Sequence, residues 1–196
     1  IDGTRVSVAV GADIHVLDLE STTADQGQRV TISLGGDFDH QRARWIKKPQ
    51  DFLTDMALAP NGQRVLLTSR GHMATQGIGA LRRAELVQPA DGRCRKGVFS
   101  SDSSSVFALC DFSGEREVWR LPANGMGAGE QITFDAKSMR TQLEPSPDGR
   151  YLAHTNKDGQ LFLTELKNSG AKAGTAAATK LIGHDPISAD IKNLTW

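Results

Sequence analysis

Apolar residues in this chain come in short stretches, and a turn-forming cluster opens each of them. Asp2-Gly3 precedes Arg5-Val6-Ser7-Val8-Ala9-Val10, and Pro60-Asn61-Gly62 precedes Arg64-Val65-Leu66-Leu67. Ser101-Asp102-Ser103 precedes Ser105-Val106-Phe107-Ala108-Leu109, and Ser146-Pro147-Asp148-Gly149 precedes Tyr151-Leu152-Ala153-His154. Asn-Gly and Asp-Gly mark tight reversals because both residues accept the positive φ that such a turn asks for. Ile14 and Val16 alternate with His15, and Leu161 and Leu163 with Phe162 and Thr164. A period of two is the mark of a half-buried strand, and helical periodicity is hard to find anywhere.

Aligning the turns gives the anatomy of one unit. A strand runs into the turn, a second strand follows, then a second turn and a third strand. The last unit reads Tyr151 to His154, Lys157-Asp158-Gly159, then Gln160-Leu161-Phe162-Leu163-Thr164-Glu165-Leu166. The first unit repeats this through Gly11-Ala12-Asp13 and the third through Phe112-Ser113-Gly114-Glu115. A fourth, outer strand is expected at Arg29-Val30-Thr31-Ile32-Ser33-Leu34, at Glu130-Gln131-Ile132-Thr133 and at Thr179-Lys180-Leu181-Ile182. A supersecondary unit recurring with a period in the forties is what a β-propeller blade leaves in sequence. The chain is therefore expected to be all-β, a partial β-propeller of about four units of four-stranded antiparallel blades, cut from a larger ring. It is expected to form one domain over residues 1–196, with units at approximately 1–51, 52–97, 98–139 and 140–187.

Residues 190–196, ending in Lys192-Asn193-Leu194-Thr195-Trp196, are expected to begin a further blade. Ile1-Asp2-Gly3 starts inside a motif, so the natural start is expected to be missing, and the cut sheet edges predict self-association. Two stretches break the pattern. Residues 35–49 form a longer polar excursion, and residues 70–80 carry no alternation. The third strand of the second unit is accordingly expected to be replaced by Ala84-Glu85-Leu86-Val87. Residues 170–179, rich in Gly, Ala and Thr, read as an interstrand loop.

Composition narrows the function classes. Hydrophobic residues make up 38% and charged residues 23% of the 196 positions, as in a water-soluble globular protein. Lys and Arg number 23, as do Asp and Glu, so no overall field draws in nucleic acid or an anionic membrane. No apolar run approaches the roughly 20 residues needed to span a bilayer. Two cysteines, Cys94 and Cys110, make no disulfide framework and are read as free thiols. The compartment, cytoplasmic or periplasmic/exported, stays open.

Catalytic machinery is not expected. The sequence has no Gly-x-Ser-x-Gly elbow and no His-Glu-x-x-His. The serines of Ser100-Ser101-Asp102-Ser103-Ser104-Ser105 occupy the turn position of their unit, where such side chains bond local backbone. Gly77-Ile78-Gly79 and Gly125-Met126-Gly127-Ala128-Gly129 lack the helix and the Lys-Ser/Thr of a phosphate cradle, and read as loops. His15, His40, His72, His154 and His184 are scattered without ligand spacing, so neither a metal site nor a cofactor is expected. One cluster is a candidate binding site: Arg42, Arg44, Trp45, Lys47 and Lys48. Cations beside an aromatic ring suit the carboxylate of a peptide. The competing reading is a solvated inter-blade connection with Trp45 as a core plug. Asp37, Asp39, Asp51 and Asp55 flank the cluster and argue against nucleic acid.

The Ser-Pro-Asp-Gly turn followed by an apolar strand resembles the PD40, or TolB-like, propeller repeat. Arg44-Trp45-Ile46-Lys47-Lys48-Pro49, Ala59-Pro60-Asn61-Gly62 and Leu67-Thr68-Ser69-Arg70-Gly71 resemble the propeller of tricorn-type proteases. So does Ser113-Gly114-Glu115-Arg116-Glu117-Val118-Trp119-Arg120-Leu121-Pro122-Ala123-Asn124-Gly125, with Glu130-Gln131-Ile132-Thr133 after it. The second resemblance implies a non-catalytic propeller region of an S41 serine peptidase, which admits or docks peptides for a peptidase core with a PDZ module. Its implied partners are a peptide substrate or partner protein through the propeller pore, and the rest of the parent protein. Residues 72–97 depart from that family's pattern. The alternative implication is a TolB-like propeller acting as a protein–protein binding module. A further one is the propeller of a prolyl-oligopeptidase-like hydrolase.

Overall fold

The computed structural model describes residues 3–10, 13–20, 27–33, 35–36, 42–80, 82–88, 92–135, 137–166, 178–185, 191 and 193–196. The chain divides into two compact units, Ile1–Trp45 and Ile46–Trp196. In the first, β1 (Arg5–Val10), β2 (Asp13–Asp18) and β3 (Gln28–Arg29) form an antiparallel sheet in chain order. Arg29 closes its outer edge through an ion pair with Asp13 at 2.9 Å.

The second unit contains three four-stranded antiparallel sheets. The first is β4 (Leu53–Leu58), β5 (Arg64–Ser69), β6 (His72–Gly77) and β7 (Ala84–Glu85). The second is β8 (Cys94–Phe99), β9 (Ser105–Cys110), β10 (Glu117–Pro122) and β11 (Glu130–Gln131). The third is β12 (Arg140–Pro145), β13 (Tyr151–Asn156), β14 (Gln160–Glu165) and β15 (Thr179–His184). Within each sheet the strands follow chain order, the meander of a propeller blade. The all-β expectation is met, and outer strands form at the expected Glu130–Gln131 and Thr179–His184, while in the first unit's sheet only Gln28–Arg29 pairs.

One turn device joins the first strand of each of these sheets to the second. Gly62, Ser103 and Gly149 take left-handed φ values of 69°, 61° and 71°. Their amides donate to the carbonyls of Ala59, Ser100 and Ser146 at 2.8, 2.9 and 2.9 Å. The side chains of Asn61, Asp102 and Asp148 accept the amides of Gln63, Ser104 and Arg150 at 2.9, 3.0 and 3.0 Å. The Ser100 and Ser146 hydroxyls also donate to Asp102 and Asp148, and with these backbone bonds they hold both carboxyls below the usual carboxylate range. The serine run is thus a turn in which hydroxyls and carboxylate satisfy each other.

Two sequence expectations need correction. His72–Gly77 is itself the third strand of its sheet, and Ala84–Glu85 is the fourth. Its buried positions are Met73, Thr75 and Gly77, so the alternation is present without an apolar signature. The Thr75 hydroxyl keeps its place in the core by donating to the Ala123 carbonyl at 2.7 Å. Cys94 and Cys110 are not free thiols but a disulfide. They face each other in the β8–β9 ladder with Cα atoms 4.1 Å apart, the close spacing of a pair that exchanges no ladder hydrogen bonds. They belong to the first and second strands of one sheet, which spacing along the chain does not reveal.

β9 is buried on both faces, which explains its unbroken apolar run. Val106, Ala108 and Cys110 pack with Leu66, Met73 and Phe99, between the first and second sheets of the unit. Phe107 and Leu109 pack with Val118, Leu143 and Leu152, between the second and third. Of the tail expected to begin a further blade, residues 191 and 193–196 are described. The Trp196 indole there donates to the Glu144 carbonyl on β12 at 3.2 Å.

Polar side chains also lie in this interior. His154 is fully buried on β13, stacked on Phe162 with centroids 5.3 Å apart and bonded through Nε2 to Thr164 Oγ1 at 3.0 Å. Burial, reinforced by the Arg140 charge, pushes its pKa down to about 3 from an ordinary 6.5. Below pH 6.5 the unfolded chain therefore takes up a proton that the folded one refuses. Stability should fall as pH falls through this window, by about 2–3 kcal/mol between pH 6.5 and 4.5. Urea titrations across that range should show the slope in the native protein and a much flatter profile in His154→Gln. Equal slopes would assign the acid sensitivity elsewhere.

Candidate functional site: a basic cleft where first strands converge

In Ile46–Trp196 the first strands of successive sheets pack against each other, β4 on β8 and β8 on β12. These are the innermost strands of the array, and each is the edge strand of its own sheet. Each carries a break in ladder register near its start. Thr54 is skipped between Leu53 and Asp55, Lys96-Gly97 between Arg95 and Val98, and Thr141 between Arg140 and Gln142. A β-bulge bends its strand and re-aims side chains. Here Thr54, Lys96 and Thr141 all line one cleft of about 950 Å³.

The cleft is strongly basic. Arg70, Arg93, Arg95, Lys96 and Arg116 line it against one carboxylate among the described residues, that of Asp55. None of the five cations forms an ion pair with a described carboxylate. Arg70 lies over the Phe52 ring at 5.3 Å, and the Arg116 guanidinium reaches the Arg140 carbonyl at 3.5 Å. Asp111 accepts the Arg93 amide at 2.6 Å, which leaves the Arg93 side chain for the cleft. A concave wall of one sign focuses potential and raises the local concentration of oppositely charged groups.

Backbone strain gathers at the same place. Arg70 and Lys96 hold φ values of 53° and 50°, uncommon for residues with a Cβ and frequent at binding sites. Beside Arg70, Gly71 takes φ 87°, and its carbonyl accepts the Cys94 amide at 2.8 Å. A Cβ on Gly71 would fall 2.7 Å from that of Arg93, so only glycine lets the β5–β6 turn lie against the start of β8. The disulfide and this close approach together fix the residues that carry Arg93, Arg95 and Lys96.

The candidates from sequence lie elsewhere. Arg42, Arg44 and Trp45 end the first unit, and Lys47 and Lys48 begin the second. All five are exposed in an irregular segment. Trp45 is 100% exposed, which gives the core-plug reading no support among the described residues. The cleft cations escaped the sequence because they come from the start of one strand and from two turns, far apart in the chain. The available signal was positional, with basic residues recurring where the first and third strands of these units begin.

Among the described residues no group of three His, Cys, Asp or Glu side chains is placed to hold a metal ion. No helix among them is long and apolar enough to cross a membrane. No protein-family model matches the sequence, and no curated protein matches it. Solved structures do match the fold. A putative TolB from Agrobacterium tumefaciens aligns with TM-score 0.52 and 15% identity, over 96% of this chain and 65% of that one. TolB from Acinetobacter baumannii aligns with TM-score 0.52 and 13% identity, over 93% of this chain and 41% of that one. The chain thus spans less than two thirds of the length of either. At this identity the likeness is one of fold: a TolB-like β-propeller architecture.

Proposed function

We propose that this chain is a protein-binding propeller module, that its basic cleft is the docking surface, and that it works in an oxidising compartment. The cleft carries the reading: three successive sheets each contribute a bulged innermost strand to it, and its cations are unspent on described carboxylates. Ligand sites favour such concave, preformed places with a few convergent polar groups. The TolB-like fold supports a binding module. The resemblance to tricorn-type proteases leads to a neighbouring reading, a propeller that passes peptides to a peptidase core, and neither structural neighbour supports it. The Cys94–Cys110 disulfide supports the compartment, since such bonds persist where thiols are not kept reduced.

Photocrosslinking in the source cells tests the docking surface. A photoreactive phenylalanine analogue in place of exposed Thr54 should yield one discrete protein adduct. The same analogue in place of Lys180, on outer strand β15, should not. Adducts of equal yield from both positions, or none from Thr54, would overturn the assignment of the cleft.

A further inference from the structure

Resting on the docking reading above, we propose that the cleft takes an extended acidic segment of the partner protein, with Asp or Glu side chains on its guanidiniums. Charge is the first argument. Among the described residues, Arg70, Arg93, Arg95, Lys96 and Arg116 face one Asp, although the whole chain is neutral, so the imbalance is local to this wall. Four of the five are arginines, whose planar forks pair bidentately with carboxylates.

The backbone supplies the second argument. β4, β8 and β12 are edge strands, so one side of each offers amides and carbonyls that no ladder uses. Thr54, Lys96-Gly97 and Thr141 lie outside the ladder pairing at the cleft wall itself. A small anion would use only the cations. A peptide in extended conformation uses the cations and the strand edges together, as in recognition by strand addition. Asp55, on β4, makes that side less attractive to acid and directs acidic side chains toward β8 and Arg116. Nucleic acid fits the wall less well. Among the described residues no Phe, Tyr or Trp lines the cleft to stack a base, and single strands are held by stacking as well as charge.

Fluorescence anisotropy with defined probes decides this. The probes are a ten-residue peptide alternating Glu and Ser, its Gln counterpart, and an oligothymidylate of equal charge. The acidic peptide should bind at low ionic strength and weaken steadily with salt. The Gln peptide should bind at least tenfold more weakly. Arg95→Gln/Lys96→Gly should lose at least tenfold for the acidic peptide while keeping its thermal midpoint, because both side chains are exposed and φ at Lys96 favours glycine. Equal affinity for the Gln peptide, no binding of the acidic one, or tighter binding of the oligothymidylate each overturns the proposal. The docking reading is judged separately: a Thr54 adduct that persists when the acidic peptide fails leaves the docking surface standing and sinks only its acidic specificity.

Discussion

Arg140→Met is expected to destabilise the protein by about 3–5 kcal/mol, the cost of stranding a buried charge. Arg140 is the first residue of β12 and Glu117 the first of β10, so their ion pair at 2.7 Å ties the second and third sheets of the larger unit together. Glu117 is 0% and Arg140 2% exposed. Around them the Thr133 hydroxyl donates to Glu117 and accepts the Val118 amide at 2.9 Å, and Asp135 holds the other side of the guanidinium at 2.7 Å. Without Arg140, Asp135 still has solvent to turn to, whereas the fully buried Glu117 loses the cation that balances its charge. The double variant Arg140→Met/Glu117→Leu should therefore be more stable than Arg140→Met, since a buried pair replaced whole by apolar groups is often nearly neutral. Urea unfolding reads both. A loss below about 1 kcal/mol for Arg140→Met, or a double variant less stable than the single, would show that water reaches this site and that the pair is not a buried one.

The parts of the fold legible in sequence are those set by local chemistry. Pro60-Asn61-Gly62 and Ser146-Pro147-Asp148-Gly149 announce their turns because φ values of 69° and 71° at the final glycines are demands that few residue types meet. β9 and β13 announce themselves through apolar runs. β6 did not, because a strand that buries Met73, Thr75 and Gly77 meets its burial requirement through a hydrogen bond and a missing side chain rather than through hydrophobicity. The cleft was illegible for a different reason. Arg70, Arg93 and Arg116 meet only through the stacking of sheets, and no residue's own surroundings in sequence encode which strand of a blade is innermost. Charge density along the chain pointed instead to Arg42, Arg44, Lys47 and Lys48, where the cations are contiguous and therefore conspicuous. Convergence in space needs no such contiguity.

Loss of the Cys94–Cys110 disulfide is the second large effect expected. The bond closes a loop with a sequence separation of 16. Constraint of the unfolded chain by a loop of that size is worth about 3 kcal/mol. Both sulfurs are fully buried beside Ala108 and Leu121, so Cys94→Ala/Cys110→Ala keeps small apolar side chains in place and reads mainly the lost crosslink. The loss should not be spread evenly. Cys94 lies between Arg93 and Arg95, and its amide is bonded to Gly71, so the first turn to loosen is the one that carries the cleft cations. Amide hydrogen exchange in the double variant should rise first at residues 92–97 and around residue 71, ahead of β13 and β14. The same bond tests the compartment. Protein alkylated directly on lysis of source cells should gain no label until a reductant is added in denaturant. Two labels gained without reductant would mean that the chain lives as a dithiol, which would overturn the oxidising compartment while leaving the basic cleft to be judged by its peptide.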